Sequence, residues 1–312
     1  MPFDAAYEAL TDHEDDARWA YGTGFADPLA GVSTAVPGDV DRTDLTAYCL
    51  MLGDDALIMS HRLQQWVTRA PELEDELALA NIGLDLLGQA RLLLTRAGEV
   101  EGRGRDEDAL AYLRDAGEFR NVRLAERADD DFAQLVARLL VFATWRLALL
   151  DRLASSRDPV LAAIGAKGVK ELTYHREYAA GWAVRLGDGT ELSAARMRAA
   201  MTAVWPLTAE LFHPHDIELR LSAAGVAVGP ATLRPEFDGV LAEVCRVATL
   251  LPPPSSDPTG RSSAGDPSAG ASAEAPGAAA AAGGRGGRHG EELVAILAEM
   301  QELARDVPGG VW

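Results

Sequence analysis

The chain has 312 residues, of which 48% are hydrophobic and 25% are charged, so it is long enough to bury one large core. Its formal net charge of -19, without any basic run, argues against nucleic acid and anionic membranes as partners, because both are bound through clustered Lys and Arg. The first residues show no signal-peptide pattern, and no uncharged apolar run is long enough to span a membrane, so we expect a cytoplasmic protein.

The N-terminal part of the chain combines an arm with a predicted helical hairpin. Residues 1–42 mix acidic clusters with Gly and Pro, which predicts an extended arm whose aromatic residues are candidates for docking. From Arg42 the apolar spacing becomes helical, and the first helix is predicted to run to about Arg69. Pro71, followed by several acidic residues, predicts the start of a second helix that ends at the glycines near 98–104.

A second helical hairpin follows after a long connection. Residues 129–155 and 158–186 predict the third and fourth helices, since each begins with an acidic cap. Short links join the helices within each pair, whereas roughly thirty residues, with a short helix near 107–114, separate the pairs. This layout predicts an all-α fold, a ferritin-like four-helix bundle with one long crossover, in a domain of residues 43–251.

The remaining sequence predicts additional C-terminal helices and a linker. Helices near 193–212 and 235–250 are expected to pack outside the bundle, and GVAVGP at 225–230 is a weak strand pattern. Residues 252–289 contain no large apolar residue, which predicts a disordered low-complexity linker. Residues 290–312 return to helical apolar spacing and predict a helix that docks on the bundle.

The second predicted helix carries a polar stripe. Its stretch ELALANIGLDLLGQARLLL is apolar on nearly every side, yet Asn81, Asp85 and Gln89 recur at intervals of four. Residues four apart on a helix lie one above the other, so the three form one stripe on a helix that is predicted to be buried. Buried polar groups without partners cost about 1–3 kcal/mol each, so the stripe must face metal ions, other side chains or a ligand.

A ferritin-like di-iron centre is one possible partner of the stripe. Such a centre uses a Glu on each of two helices and a Glu-x-x-His pair on each of the other two, since two hard cations need several anionic oxygens. The nearest matches are Leu86 with Gln89 in the second helix and Leu172 with His175 in the fourth, so Leu replaces both acids and Gln replaces one His. The third helix adds no carboxylate between residues 131 and 151.

Two explanations of the stripe therefore remain. A metal site would have to combine side chains four apart on the second and fourth helices with candidates on the first helix, which are Asp54, Asp55 and His61. The explanation we favour is a hydrogen-bonded, charge-assisted network at the place where a metal would lie, with protonated His175 replacing the cation. Its five members are Asn81, Asp85, Gln89, Glu171 and His175. We expect no metal-binding or catalytic residue in this chain.

Two further polar features have ordinary explanations. Lys167 and Lys170 are the only lysines of the chain and lie one turn apart, which fits either a contact with a phosphate or a partner, or a solvated helix face. We favour the solvated face. The cluster HPHD at 213–216 is predicted to be a capped turn between helices.

Five segments of the sequence resemble a known family. They are LGDDALIMSHRLQQW (52–66), APELEDELALANIGLDLLGQARLLL (70–94), KELTYHREYAAGW (170–182), WPLTAELF (205–212) and AEMQELARDVPGGVW (298–312). Together they closely resemble the C subunit of bacterial phenylacetyl-CoA epoxidase. The N-terminal arm and the predicted linker exceed what that family is expected to contain.

The resemblance implies a ferritin-like structural subunit without a metal or cofactor of its own. In that family it forms a heterodimer with the related, catalytic A subunit, which holds the di-iron centre, and the heterodimer assembles into a larger hetero-oligomer with the other subunits, including a reductase. The complex uses oxygen and electrons from NADPH, passed through a flavin and an iron-sulfur cluster, to epoxidise the ring of phenylacetyl-CoA in aerobic phenylacetate degradation. Lys167 and Lys170 then become candidate contacts for CoA or for the partner.

The catalytic relative carries the motif Asp-Glu-x-Gly-His in the helix that matches residues 85–89. Aligned in this way, Leu86 replaces the ligand Glu and Gln89 replaces the ligand His. We therefore expect a non-catalytic structural subunit. The alternatives are a di-metal carboxylate oxygenase with atypical ligands and a helical binding module without an oxygenase partner.

Overall fold

The structure is a computed structural model that describes residues 29–250 and 283–307. Residues 1–28, which include Trp19, Tyr21 and Phe25, lie outside the described residues, as do 251–282 and 308–312. Predictions about the arm's aromatic residues and about most of the linker therefore concern residues outside the described part.

The described residues form an all-α protein, as predicted. The α-helices are α1 (Arg42–Gln64), α2 (Leu73–Glu101), α3 (Glu107–Tyr112), α4 (Arg123–Glu126), α5 (Phe132–Leu153), α6 (Pro159–Gly187), α7 (Glu191–Val204), α8 (Thr208–Phe212), α9 (Asp216–Ala223), α10 (Arg234–Val247) and α11 (Glu291–Asp306). The long helices α1 and α2 form one hairpin, α5 and α6 form the other, and α2 packs against α6. The crossover between the hairpins carries α3 and α4, which is the predicted ferritin-like layout.

The weak strand pattern at 225–230 does not form a strand. The backbone N–H groups of Val226 and Ala227 both donate to the carbonyl oxygen of Leu221, at 2.9 and 3.2 Å. These bonds close the C-terminal end of α9, so the segment folds back as a turn before a 3-10 helix (Pro230–Leu233). Its valines are buried by this turn and not by a sheet.

Local capping explains where the bundle helices begin. The carboxylate of Asp158 accepts hydrogen bonds from two backbone N–H groups in the first turn of α6, where Pro159 occupies the first position. Asp158 also forms a fully buried ion pair with Arg96 of α2, at 2.5 Å. At the start of α5, Asp131 accepts from the N–H of Gln134. Both helices therefore begin close to their predicted positions.

The first helix is shorter than predicted. α1 ends at Gln64, whereas the sequence predicted an end near Arg69. The backbone N–H groups of Trp66, Val67 and Arg69 donate to carbonyl oxygens three residues back, so the chain tightens into turns before the hairpin connection. Apolar spacing alone does not distinguish these turns from a continuing helix.

The two most apolar helices are buried to different extents. By length and composition alone, α2 and α5 would both pass as membrane spans, but 94% of the apolar window of α5 is buried inside the bundle, against 50% for α2. A central helix of a bundle needs such a composition, since it is surrounded by other helices. α5 is that central helix.

One side of α2 is open. Leu73, Leu77 and Leu84 are exposed, as is Asn81, so the prediction of a helix buried all round is wrong. The helices that pack against α2, mainly α1 and α6, leave this side uncovered. Burial depends on how many neighbours a helix has, and the composition of α2 does not reveal that number.

The C-terminal segment, residues 283–307, packs on the crossover and on α1. The apolar side of α11 is buried and consists of Leu293, Ile296 and Leu297. Gln301 donates to two carbonyl oxygens of the crossover. Residues 283–288 fall within the predicted disordered linker, but they form a 3-10 turn whose Arg285 is buried. The linker prediction is therefore wrong for these residues.

The buried His289 gives this segment a pH-dependent stability. Its Nδ1 lies 2.7 Å from Glu126 Oε2, and its Nε2 lies 3.0 Å from the carbonyl oxygen of Phe119. Burial lowers the pKa of His289, but its hydrogen bonds with Glu126 and Phe119 outweigh burial and raise the pKa above 6.5. The resulting stabilisation is complete below pH 6.5 and is lost as the pH rises through the raised pKa.

We expect the free energy of unfolding, measured by urea titration, to fall with rising pH over that window. The substitution His289→Gln should remove this fall. His61 and His215 should not contribute to this fall in stability, because burial lowers their pKa values and they titrate below the window. A pH profile that His289→Gln leaves unchanged would contradict this prediction.

Candidate functional site

The predicted polar network lies between α2 and α6. His175 Nε2 lies 3.0 Å from Asp85 Oδ2, and Gln89 Nε2 donates to Glu171 Oε2 at 2.8 Å. The two helices run antiparallel, so a spacing of four on each one places two matched pairs side by side. The His175 ring and the Gln89 amide are buried, whereas the Asp85 side chain is 38% exposed. The structure brings together four of the five predicted members.

The remaining predicted residues lie toward the surface. Asn81 is exposed on the open side of α2 and takes no part in either pair. Lys167 forms a close ion pair with Glu171, while Lys170 is exposed. Glu171 therefore joins the buried Gln89 to the half-buried Lys167.

A buried arginine completes the network from inside the bundle. Arg146 of α5 is fully buried, and its Nε donates to Gln89 Oε1 at 2.9 Å, while both terminal nitrogens lie 3.3 Å from the carbonyl oxygen of Leu52. Burial lowers the pKa of Arg146 to about 10, so the guanidinium remains protonated at neutral pH. Polar contacts thus run from Arg146 through Gln89 and Glu171 to Lys167, that is, from the core to the surface.

The sequence around Arg146 contains a signal for a buried polar site. Arg146 is the lone charge in the run LLVFATWRLALL, and α5 is the most buried long helix. A charged group on such a helix needs polar partners from neighbouring helices. The di-iron ligand pattern contains only anions and imidazoles, so it does not indicate this cation.

The acidic residues of α1 are already paired with arginines. Asp54 accepts a bidentate contact from Arg114 of the crossover, with Nη1 at 3.0 Å from Oδ2, and both side chains are buried. Asp55 accepts from Arg285 at 2.8 Å, and the pair is also buried. Both carboxylates are therefore neutralised within the chain.

These residues do not fit a di-iron centre. Leu86 and Leu172 are fully buried at the positions where the Glu-x-x-His pattern of a di-iron centre needs ligand acids, and the guanidinium of Arg146 would repel a metal cation beside Gln89. The alternative ligand set on α1 depends on carboxylates that are already paired. In the ranges 29–250 and 283–307, no group of three or more His, Cys, Asp or Glu side chains is arranged to hold a metal ion.

The histidine cluster at 213–216 caps a helix. His215 is the N-cap of α9, and its ring Nδ1 accepts from the N–H of Ile217 at 3.3 Å. Glu218 accepts in return from the N–H of His215 at 2.9 Å. This capping box confirms the predicted capped turn.

The chain matches one protein family over most of its length. Residues 32–266 match the model of a family described as phenylacetic acid catabolic protein. The chain is also 44% identical, over 268 residues, to the C subunit of the 1,2-phenylacetyl-CoA epoxidase of Escherichia coli (strain K12). That alignment covers 86% of this chain and 99% of the relative.

Proposed function

Because the chain belongs to the phenylacetic acid catabolic protein family, we propose that it is the non-catalytic C subunit of a phenylacetyl-CoA epoxidase in aerobic phenylacetate degradation. The observation that carries the non-catalytic role is the buried guanidinium of Arg146, which contacts Gln89 where the catalytic relative has a ligand His. A fixed cation in the interior repels metal ions. The proposed task of the chain is to hold a catalytic partner in working geometry.

The proposed complex keeps its cofactors in other chains. The di-iron centre belongs to the catalytic A subunit, which forms a heterodimer with this chain and then a larger hetero-oligomer. NADPH, flavin and the iron-sulfur cluster belong to the reductase. The proposed location is the cytoplasm, and Lys167 and Lys170 remain candidate contacts for CoA or for the partner.

The open side of α2 is the surface that we propose for the catalytic partner. Leu73, Leu77 and Leu84 are 65%, 57% and 58% exposed, and Tyr174 of the neighbouring α6 is 46% exposed. Exposed apolar side chains grouped on adjacent helices are typical of protein interfaces, and aromatic residues are enriched there. Obligate interfaces commonly bury more than about 2,000 Å², which requires such a surface.

A charged substitution on this surface should weaken the heterodimer. We expect Leu84→Asp to raise the Kd for the catalytic partner by at least about tenfold, because it buries an unpaired carboxylate in the interface. Biolayer interferometry with the immobilised partner measures this change. The matched control is Leu192→Asp, since Leu192 is a 62% exposed leucine on α7. Equal affinities for both variants would contradict the assignment of the surface.

Co-expression tests the proposed function as a whole. The partner is a family member that carries both Glu-x-x-His motifs, and we expect the two chains to co-elute in size-exclusion chromatography. Phenylacetyl-CoA epoxidation, assayed with the reductase, should require both chains. Epoxidation by this chain without the partner would contradict the proposal and favour the di-metal oxygenase alternative.

A further inference from the structure

The turn at Gly284–Gly286 inserts one side chain into the body of the protein. Arg285 is 6% exposed, and its Nη1 donates to the carbonyl oxygens of Met51 and Arg120, both at 2.9 Å. Its Nη2 donates to Asp55 Oδ2 at 2.8 Å, and the cation lies 5.9 Å from the centre of the Trp145 ring. Asp55, Met51, Arg120 and Trp145 thus form a pocket around this side chain, the Asp55 pocket. Its fixed acceptors and its aromatic ring suit a guanidinium, which is planar and has several donors.

The rim of the Asp55 pocket excludes side chains on both sides of that arginine. A Cβ atom at position 284 would lie 1.9 Å from the carbonyl oxygen of Asn121, and one at position 287 would lie 2.4 Å from that of Gly117. Both obstacles are backbone atoms, which cannot rotate away as a side chain can. Gly287 also has a φ of +75°, in a region that favours glycine. The rim therefore selects the pattern Gly-Arg-x-Gly.

The contacts of residues 283–307 with the rest of the chain resemble those of a bound peptide. Arg62 of α1 donates to the carbonyl oxygen of Glu292 at 2.7 Å, and the backbone N–H of Gly284 donates to Glu210 Oε1 at 2.7 Å. Main-chain groups of the segment are thus bonded by side chains of the body, as in peptide recognition. The apolar side of α11 adds buried area next to these polar contacts.

The stretch between the body and this segment has the composition of a tether. After Leu251, residues 252–282 contain no large apolar residue, so they offer little surface for binding of their own. A chain of this length reaches at most about 100 Å. The covalent connection raises the effective concentration of the segment at the pocket, and the contacts of the segment determine the specificity.

We propose that the Asp55 pocket is a recognition site for peptides of the pattern Gly-Arg-x-Gly, and that residues 283–307 occupy it as a tethered ligand that a free peptide of the same sequence can replace. The bound segment clamps the crossover to α1, since Arg285 contacts Met51 and Asp55 on one side and Arg120 on the other. The ligand class is an arginine-glycine peptide followed by an amphipathic helix.

The test uses the full chain with a recognition sequence for a specific protease in place of residues 265–271. After cleavage, we expect the C-terminal fragment to co-elute with the body and to be displaced by a fluorescein-labelled peptide of residues 283–307, as measured by anisotropy. The peptides Gly284→Ala and Arg285→Gln should bind at least about 100-fold more weakly. The peptide Val294→Ser is the control, because Val294 is exposed, and it should bind as the parent does.

Several results would overturn the proposal. Separation of the fragment on cleavage would show that the tether holds it, and unfolding of the cut chain would show that the segment is an integral part of the fold. Failure of the labelled peptide to replace the bound fragment would also show that the segment is an integral part of the fold. Equal binding of the Gly284→Ala peptide would overturn the selectivity for glycine. No outcome depends on an epoxidation assay, so this test is independent of the proposed function.

Discussion

Omitting this chain from a reconstituted phenylacetyl-CoA epoxidase is expected to lower the epoxidation rate by about 100-fold or more. The proposed role is geometric: in the proposed complex, this chain would support the helices that carry the iron ligands of its partner. A displacement of reacting groups by about 1 Å is enough for a loss of this size. The measurement is the initial rate with all other components at fixed concentration. An unchanged rate without this chain would contradict the scaffold role.

Variants of the polar network provide the internal comparison. We expect complexes with Gln89→Ala or His175→Ala to keep most of the rate, since neither residue touches a reacting atom in the proposed complex. The assay uses variants that still co-elute with the partner, which separates activity from assembly. Substitution of an iron ligand in the catalytic partner is the positive control. If Gln89→Ala were equally damaging, the network would be part of the chemistry.

The substitution Arg114→Met is expected to lower the free energy of unfolding by about 3–5 kcal/mol. Arg114 is 2% exposed and binds Asp54, which is fully buried, through both terminal nitrogens. The variant keeps a similar volume but leaves a buried carboxylate whose remaining donor is the backbone N–H of Arg120. Urea unfolding followed by circular dichroism measures the change.

A double variant separates the cost of the unpaired carboxylate from the loss of the ion pair itself. In Asp54→Leu combined with Arg114→Met, no buried charge is left unpaired, so most of the lost stability should return. Glu243→Gln is the surface control, because Glu243 and Arg246 form an exposed pair, and it should cause no measurable change. A single Arg114→Met variant as stable as the parent would show that the buried pair contributes little.

Features set by neighbouring residues were predicted well from the sequence. The acidic caps and Pro159 locate the starts of α5 and α6, because capping depends on a few consecutive residues. The end of α1 and the open side of α2 were predicted wrongly, because they depend on the hairpin turn and on the number of packed helices. The turn around Arg285 was missed because glycine is common both in linkers and where backbones approach closely.

In the candidate site as well, contacts set by local spacing were predictable from the sequence, and contacts between residues far apart in the chain were not. The pairs of Asp85 with His175 and of Gln89 with Glu171 follow from a spacing of four on two antiparallel helices. The arginine contacts do not follow from spacing, because Arg285 and Asp55 are separated by 230 positions and Arg146 and Gln89 by 57. Only the fold shows that Asp54 and Asp55 are already paired with arginines, and that the buried cation beside Gln89 is Arg146.

The metal content of the purified chain tests most directly whether Arg146 takes the place of an iron pair. The chain is loaded anaerobically with Fe(II), passed through gel filtration to remove loosely bound ions, and analysed by inductively coupled plasma mass spectrometry beside its catalytic partner. We predict that the partner retains iron and that this chain retains none above the buffer level. Two retained irons per molecule of this chain would contradict that prediction and make it a metal-binding oxygenase component.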